Sequence, residues 1–323
     1  MRLVTLGELE VSALGLGAMG LTEYAPGGAE DEAEAVRAVH RALDLGVNHI
    51  DTAEVYGPYD NEGLLGRALR GRRDEVVLAS KFGILSHTGH GPVDGRRANV
   101  RLALEGSLRR LGTDHVDLYY QHGEDPDVPV EETVGALAEL VGEGKIRAVG
   151  LCEVRADTIR RAHAVHPLAA VQTEYSLWTR GAEAWLLPLL RDLGIAPVCA
   201  APLGHGFLTG RIRAPEYFAH RDRRRHNPRF SAENLPHNLR IADELAAVAE
   251  ELDATPAQVA LAWLLAHGSD ITAVPGARRA EFVTENVAAA RLALPHPQMA
   301  RLNRLPAPAG APLTDTRAWR FGH

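Results

Sequence analysis

The amino-acid sequence predicts an α/β fold: a (β/α)8 TIM barrel with an N-terminal β-hairpin and extra C-terminal helices. Three observations carry this. Short apolar runs alternate with longer amphipathic runs about eight times along the 323 residues. Three of the amphipathic runs close on a Leu-Gly pair (Leu45-Gly46, Leu111-Gly112, Leu193-Gly194), where a left-handed helix cap belongs. Strict strand–helix alternation implies parallel strands joined by right-handed crossovers, and eight such units usually take roughly 250 residues.

Each element follows from local pattern. Residues 1–11 read as a small hairpin turning at Gly7-Glu8 and plugging the barrel bottom. The expected strands are 13–17, 48–53, 76–82, 116–122, 148–153, 169–175, 195–200 and 271–274, all short apolar runs. The expected helices are 31–45, 61–70, 98–111, 130–142, 156–165, 182–193, 256–267 and 278–290. Residues 204–236 read as a long polar loop after the seventh strand, 297–305 as an additional helix, and the remainder as a Pro-rich tail. The whole chain, 1–323, is expected to form one barrel domain. An open doubly wound sheet is the competing fold. Its Gly-rich turn would be Gly15-Leu16-Gly17-Ala18-Met19-Gly20, but a polar stretch (22–30) follows instead of a helix, so the barrel is preferred.

Composition narrows the function. At 46% apolar residues the chain can bury a large core, and a net charge of -7 with mixed signs offers no footing for nucleic acid or a membrane surface. The densest basic run, Arg221-Asp222-Arg223-Arg224-Arg225-His226, carries its own acid and reads as a solvated loop. Cys152 and Cys199 sit in separate apolar runs, which favours reduced core thiols over a disulfide or a metal site. The first residues lack a signal-peptide stretch and no apolar run approaches membrane-spanning length, so a soluble, cytoplasmic protein is expected.

Of the 35 basic residues only Lys81 and Lys145 are lysine. Lys81 ends a buried strand, where a compact ammonium does what a planar guanidinium would not. In a parallel barrel, reactive groups gather at the carboxyl ends of the strands. Asp51 ends the second strand, Lys81 the third and His122 the fourth, with Tyr56 just past Asp51, so four titratable groups converge on one rim. The set has chemical logic. An ammonium lowers the pKa of a neighbouring phenol, a carboxylate keeps the ammonium charged, and a histidine shares or orients the proton. Such a phenol can protonate a carbonyl oxygen as charge develops there, while the hydride must come from a cofactor.

These residues stand within an ordered series: Leu14-Gly15-Leu16-Gly17-Ala18-Met19-Gly20, Asp51-Thr52-Ala53, Val55-Tyr56-Gly57, Ala79-Ser80-Lys81-Phe82-Gly83 and Asp117-Leu118-Tyr119-Tyr120-Gln121-His122. It continues through Val171-Gln172-Thr173-Glu174-Tyr175-Ser176-Leu177, Pro202-Leu203-Gly204-His205-Gly206-Phe207-Leu208-Thr209-Gly210 and Pro275-Gly276-Ala277-Arg278-Arg279, ending in Glu285-Asn286. Nearly end to end, the chain resembles the aldo-keto reductase family. The resemblance implies an NAD(P)H-dependent carbonyl reductase acting on a small-molecule aldehyde or ketone. Tyr56 would be the general acid, tuned by Lys81, Asp51 and His122. The implied cofactor is NADP(H), with NAD(H) the lesser expectation. By matching position Gly17 and Met19 border the cofactor, and Cys152, Glu153 and Gln172 surround the nicotinamide carboxamide. Pro202, Leu203, Gly204 and Gly206 cover the pyrophosphate, while Gly276, Ala277, Arg278, Arg279, Glu285 and Asn286 receive the 2′-phosphate and adenine. Two arginines after the eighth strand also lie where barrels often bind phosphate.

The chain departs from the family pattern at four places. Ala200-Ala201 stands where many relatives carry an aromatic residue followed by Ser or Gly, Cys152 where Ser is common, Gly123 where Arg is common, and Phe282 where Arg or Gln often lies. The alternative function, from another class, is a cofactor-binding sensor or regulatory subunit with weak or vestigial reductase activity. Pocket walls are expected from residues 21–25 and 84–95, from Trp178, and from a tail containing Trp319 and Phe321. The expected assembly is a monomer or weak homo-oligomer.

Overall fold

The chain begins with two strands, β1 (Leu3–Leu6) and β2 (Leu9–Ser12), that pair antiparallel with Leu6 opposite Leu9, so the turn falls on Gly7 and Glu8 as the sequence predicts. Val4, Leu6, Leu9 and Val11 alternate onto one buried face. That face packs on Val77, Ala79, Leu118, Ala148, Ala196 and Val198, which line the lower interior of the barrel. The hairpin therefore closes the amino-terminal end. Polar bonds fix it there: the Ser12 N–H donates to Asn48 Oδ1 at 2.6 Å, and the Thr272 hydroxyl donates to the Ser12 carbonyl at 3.0 Å. The computed structural model describes residues 1–22, 32–85, 93–220 and 222–311.

Eight parallel strands follow in sequential order: β3 (Leu16–Gly17), β4 (His49–Asp51), β5 (Val77–Phe82), β6 (Val116–His122), β7 (Ile146–Cys152), β8 (Leu168–Glu174), β9 (Ala196–Ala200) and β10 (Thr272–Ala273). The ring closes because the first and last strands meet. Leu14 bridges Ala273 and Gly17 bridges Gly276, with the Gly17 N–H donating to the Pro275 carbonyl at 3.1 Å. Only glycine fits at that seam, since a Cβ at residue 17 would lie 2.6 Å from the Val274 carbonyl oxygen. The structure is the (β/α)8 barrel the sequence predicts.

The helices are α1 (Glu32–Asp44), α2 (Asp60–Ala68), α3 (Arg97–Leu111), α4 (Val130–Gly142), α5 (Ala156–Val165), α6 (Leu186–Leu193), α7 (Leu235–Glu251), α8 (Pro256–Leu265), α9 (Ala280–Ala288) and α10 (His296–Asn303). Gly112 and Gly194 cap α3 and α6 in the left-handed region as expected. Three sequence expectations need correction. The expected helix 182–193 splits into a short 3-10 turn, Gly181–Glu183, and α6. Where a long polar loop was expected over 204–236, four 3-10 turns (Gly204–Thr209, Pro215–Tyr217, Arg223–His226 and Pro228–Phe230) lead into a helix, and Phe207, Leu208, Ile212, Phe218 and Phe230 are buried. The seventeen-residue α7 was not anticipated at all, and it packs between this segment and α8.

Candidate active site

Side chains on β5 to β9 point inward at every second residue, and their character changes with height. Low positions are apolar or small (Ala79, Leu118, Ala148, Ala170, Ala196), and on β5 to β8 the high positions are polar or reactive (Lys81, His122, Cys152, Gln172). Register sets the upper tier: Lys81 lies opposite Tyr120, His122 opposite Cys152, and Cys152 opposite Gln172.

Lys81 is fully buried. Its ammonium pairs with Asp51 Oδ1 and donates to the Thr52 carbonyl at 2.8 Å. The other carboxylate oxygen of Asp51 accepts from Gln172 Nε2 at 2.8 Å, so one carboxylate ties β4 to β5 and β8. Burial alone would pull the Lys81 pKa down, but the Asp51 charge, Tyr56 and Cys152 together with the Asp51 hydrogen bond hold it above its ordinary value. The ammonium stays charged. A charge this deep persists only because its partner and its hydrogen bonds are in place.

Tyr56 rides on the loop between β4 and α2. The Tyr56 N–H donates to the Ala53 carbonyl at 3.1 Å, and the Asn61 N–H to the Tyr56 carbonyl at 3.3 Å. Asn61 is itself locked, accepting from the Thr52 hydroxyl at 2.7 Å and donating to the Ala18 carbonyl at 2.8 Å. The phenol ring lies with Lys81 Nζ 5.3 Å from its centroid and His122 edge-on at 6.1 Å. The sequence argument expected Lys81 to lower the phenol's pKa. The Lys81 charge does act in that direction, but burial outweighs it and Tyr56 is pushed up to about 12. The phenol is thus a firmly protonated group. Burial, then the Lys81 charge, pulls His122 down to about 3, so its imidazole is neutral. All four residues singled out at the strand ends converge.

The positions expected to meet the cofactor run from this tier toward α9. Cys152 Sγ donates weakly to Gln172 Oε1 at 3.5 Å, and burial pushes its thiol up. Glu153 sits in the left-handed region at φ 50°, its carboxylate accepting from the Glu174 N–H at 2.7 Å and the Thr173 hydroxyl at 3.2 Å. Burial lifts it to about 7. Beyond β9 the backbone is left-handed at Ala201, Gly204, His205 and Gly206. At Gly204 a Cβ would lie 2.8 Å from Trp178. Pro202 is buried, and Leu203 and Gly206 are partly exposed along the turn. Gly17 and Met19 are partly exposed at the top of β3, and Ala200, with no aromatic face to offer, is partly exposed at the top of β9.

At the far end, Gly276 is exposed, Ala277 buried, and Arg278 partly buried with its Cγ 3.3 Å from where a Gly20 Cβ would stand. Both arginines precede α9, which begins at Ala280, whereas the sequence placed them within its first turn. Arg279 is exposed beside Glu281 at 3.4 Å, and the first helical amide, Ala280 N–H, donates to Glu34 at 3.2 Å. The Glu285 carbonyl accepts from Gln258 Nε2 at 3.2 Å, and Asn286 is buried.

Two further expectations fail. Trp178 does not line a pocket: it is fully buried in an aromatic cluster, 3.9 Å between centroids from Phe207 and 5.8 Å from Phe230. The basic run is not a free solvated loop, because Asp222 is buried and caps a turn by accepting from the Arg224 N–H at 2.9 Å. Arg224 then donates to the His205 carbonyl at 2.9 Å, bringing to the turn after β9 a cation that sequence reasoning missed. The Asp-x-Arg spacing, an N-cap pattern, was the available clue. The expected pocket walls at 23–25, 86–92 and the tail with Trp319 and Phe321 lie outside the described residues, as does Arg221.

A family model described as "Aldo/keto reductase family" matches residues 13–306. The chain belongs to the aldo/keto reductases. An aldo/keto reductase from Klebsiella pneumoniae solved in complex with NADP and acetate is 31% identical, with 95% of this chain and 96% of that one covered and a TM-score of 0.76. The glycerol dehydrogenase of Gluconobacter oxydans superposes with a TM-score of 0.84 at 28% identity, covering 94% of each chain. The holo form of an aldo-keto reductase from Bacillus halodurans is 30% identical over 94% of this chain and 96% of its own, with a TM-score of 0.77. Among the described residues this aldo/keto reductase has no helix long and apolar enough to cross a membrane, and no cluster of His, Cys, Asp and Glu able to hold a metal ion.

Proposed function

We propose that this aldo/keto reductase is an NADP(H)-dependent oxidoreductase that interconverts a small aldehyde or ketone and its alcohol, with Tyr56 as general acid and base. The observation that carries the reading is the buried Lys81–Asp51–Gln172 chain beside a protonated Tyr56 phenol at the mouth of the barrel. NADPH, when bound, supplies the hydride; relatives solved with NADP and NADPH support that cofactor. The stretch from the turn after β9 to the start of α9 suits a dinucleotide phosphate. Gly206 and Gly276 leave accessible backbone along it, and Arg224 and Arg278 bring positive charge. Pro202, Leu203, Gly204 and Gly206 would flank the pyrophosphate. Gly276, Ala277, Arg278, Arg279, Glu285 and Asn286 would hold the adenosine end, and Cys152, Glu153 and Gln172 would hold the carboxamide.

In this reading Tyr56 holds the proton destined for the carbonyl oxygen. As it is given up, the phenolate left behind is stabilised by the Lys81 ammonium, itself held by Asp51. Neutral His122 orients the substrate oxygen by hydrogen bonding. Tyr56→Phe should cut turnover at least about 100-fold, the scale of a lost general acid, while leaving NADPH affinity within about twofold. NADPH fluorescence titration followed by a panel of carbonyl substrates checks this. A variant with wild-type rates would remove Tyr56 from the role. Tight cofactor binding by the wild-type protein with no turnover on any carbonyl would favour a cofactor sensor instead.

A further inference from the structure

We propose that Glu54 is a positioning residue for Tyr56, its side chain tying the loop that carries the phenol to the strand end that carries Lys81. The proposal rests on Tyr56 as the proton donor. Glu54 is 8% exposed and lies two residues before Tyr56. Its N–H donates to the Lys81 carbonyl at 3.1 Å, its carbonyl accepts from the Tyr59 N–H at 2.9 Å, and its Oε1 accepts from the Gly83 N–H at 3.2 Å. One residue thus grips the backbone of Lys81, that of Gly83 two residues on, and the far end of the phenol loop.

The surroundings make this grip depend on charge. From α2, Glu62 is fully buried and takes the two good donors nearby, the Ser80 hydroxyl at 2.6 Å and Arg110 of α3 at 2.7 Å. Among the described residues Glu54 forms no ion pair. Tyr119 of β6 lies near enough to feel its charge. Burial lifts the Glu54 carboxyl to about 7, the Gly83 amide pulling it back, Glu62 pushing it further and Arg110 opposing. Once ionised, it accepts the Gly83 N–H as a charge-assisted bond, roughly twice as strong as a neutral one. As pH rises through neutrality the tie tightens, and the phenol's placement against Lys81 tightens with it.

The experiment uses the full chain with NADPH and a carbonyl that it turns over. Wild-type kcat should fall several-fold from about pH 8 to about pH 6. Glu54→Gln keeps an oxygen for Gly83 but cannot ionise, so its kcat should lose that limb and stay below the wild-type plateau with KM little changed. Glu54→Ala should lower kcat about tenfold at every pH, the scale of a misplaced reacting group. A second measurement needs no turnover: hydrogen exchange of the Gly83 amide, corrected for intrinsic base catalysis, should slow across neutrality in wild type and not in Glu54→Gln. An unchanged acid limb in Glu54→Gln, or parallel Gly83 exchange in the two proteins, overturns the proposal, as does a variant altered only in melting temperature. If no carbonyl is turned over, the reductase reading fails, and the Gly83 exchange still decides whether the tie exists.

Discussion

Lys81 is bounded on every side. Its Nζ has Asp51, the Thr52 carbonyl and the ring faces of Tyr56 and Tyr120 around it, and none of the residue reaches solvent. Lys81→Arg keeps the charge but brings a wider, planar head into that space, while the second oxygen of Asp51 is already taken by Gln172. The expected result is a loss of most activity with overpacking of about 1–3 kcal/mol, read by kcat and thermal melting. Lys81→Met should be worse for stability, about 3–5 kcal/mol, because it strands Asp51 as a buried carboxylate without its cation. The convergence of Asp51, Tyr56, Lys81 and His122 was legible in the sequence because position marks all four and scarcity marks Lys81 as well. The sign of the net Tyr56 shift was not, because burial is a property of the assembled barrel and here exceeds the pull of the neighbouring charge.

The elements pack through close backbone approaches. The turn after β9 depends on Gly204, at φ 57° and against Trp178. Gly204→Ala meets both a strained backbone and a clash, so a loss of about 1–3 kcal/mol is expected, with weaker NADPH binding in fluorescence titration. Strands and most helices were readable from periodicity because each serves one face of one βα unit. The helix α7 was missed although its buried Leu235, Asn238, Ile241, Ala242, Leu245, Val248 and Ala249 follow helical spacing. It belongs to no strand, so alternation had no place for it, and Asn238 interrupts the apolar stripe. That asparagine donates to the carbonyls of Arg229, in the preceding segment, and of Ala309, far along the chain, and neither partner shows in the helical pattern. Likewise Trp178 was expected at the pocket because it follows β8, but its burial is decided by Phe207 and Phe230, which come from another segment.

At the scale of the whole molecule, a barrel closed below by a hairpin traps ionisable groups that respond to pH in opposite senses. His49, two residues below Asp51 on β4, is fully buried, and neither ring nitrogen has a hydrogen-bond partner among the described residues. Burial lowers its pKa from 6.5 to about 4. The unfolded chain therefore takes up a proton first as pH falls, and stability is lost between about 6.5 and about 4, by roughly 3 kcal/mol in all. Glu153, raised from 4.5 to about 7, works the other way: stability falls as pH rises across that interval. His49→Leu should flatten the acid side of a stability–pH curve measured by denaturant titration and raise the midpoint more at about pH 5 than at about pH 8. The near-absence of lysine has a practical counterpart. Lys81 is sealed in the core, and Lys145, about a third exposed, stands just before β7 at the closed end of the ring. A dye, bead or electrode coupled through lysine would take hold of the floor and leave the opening facing outward.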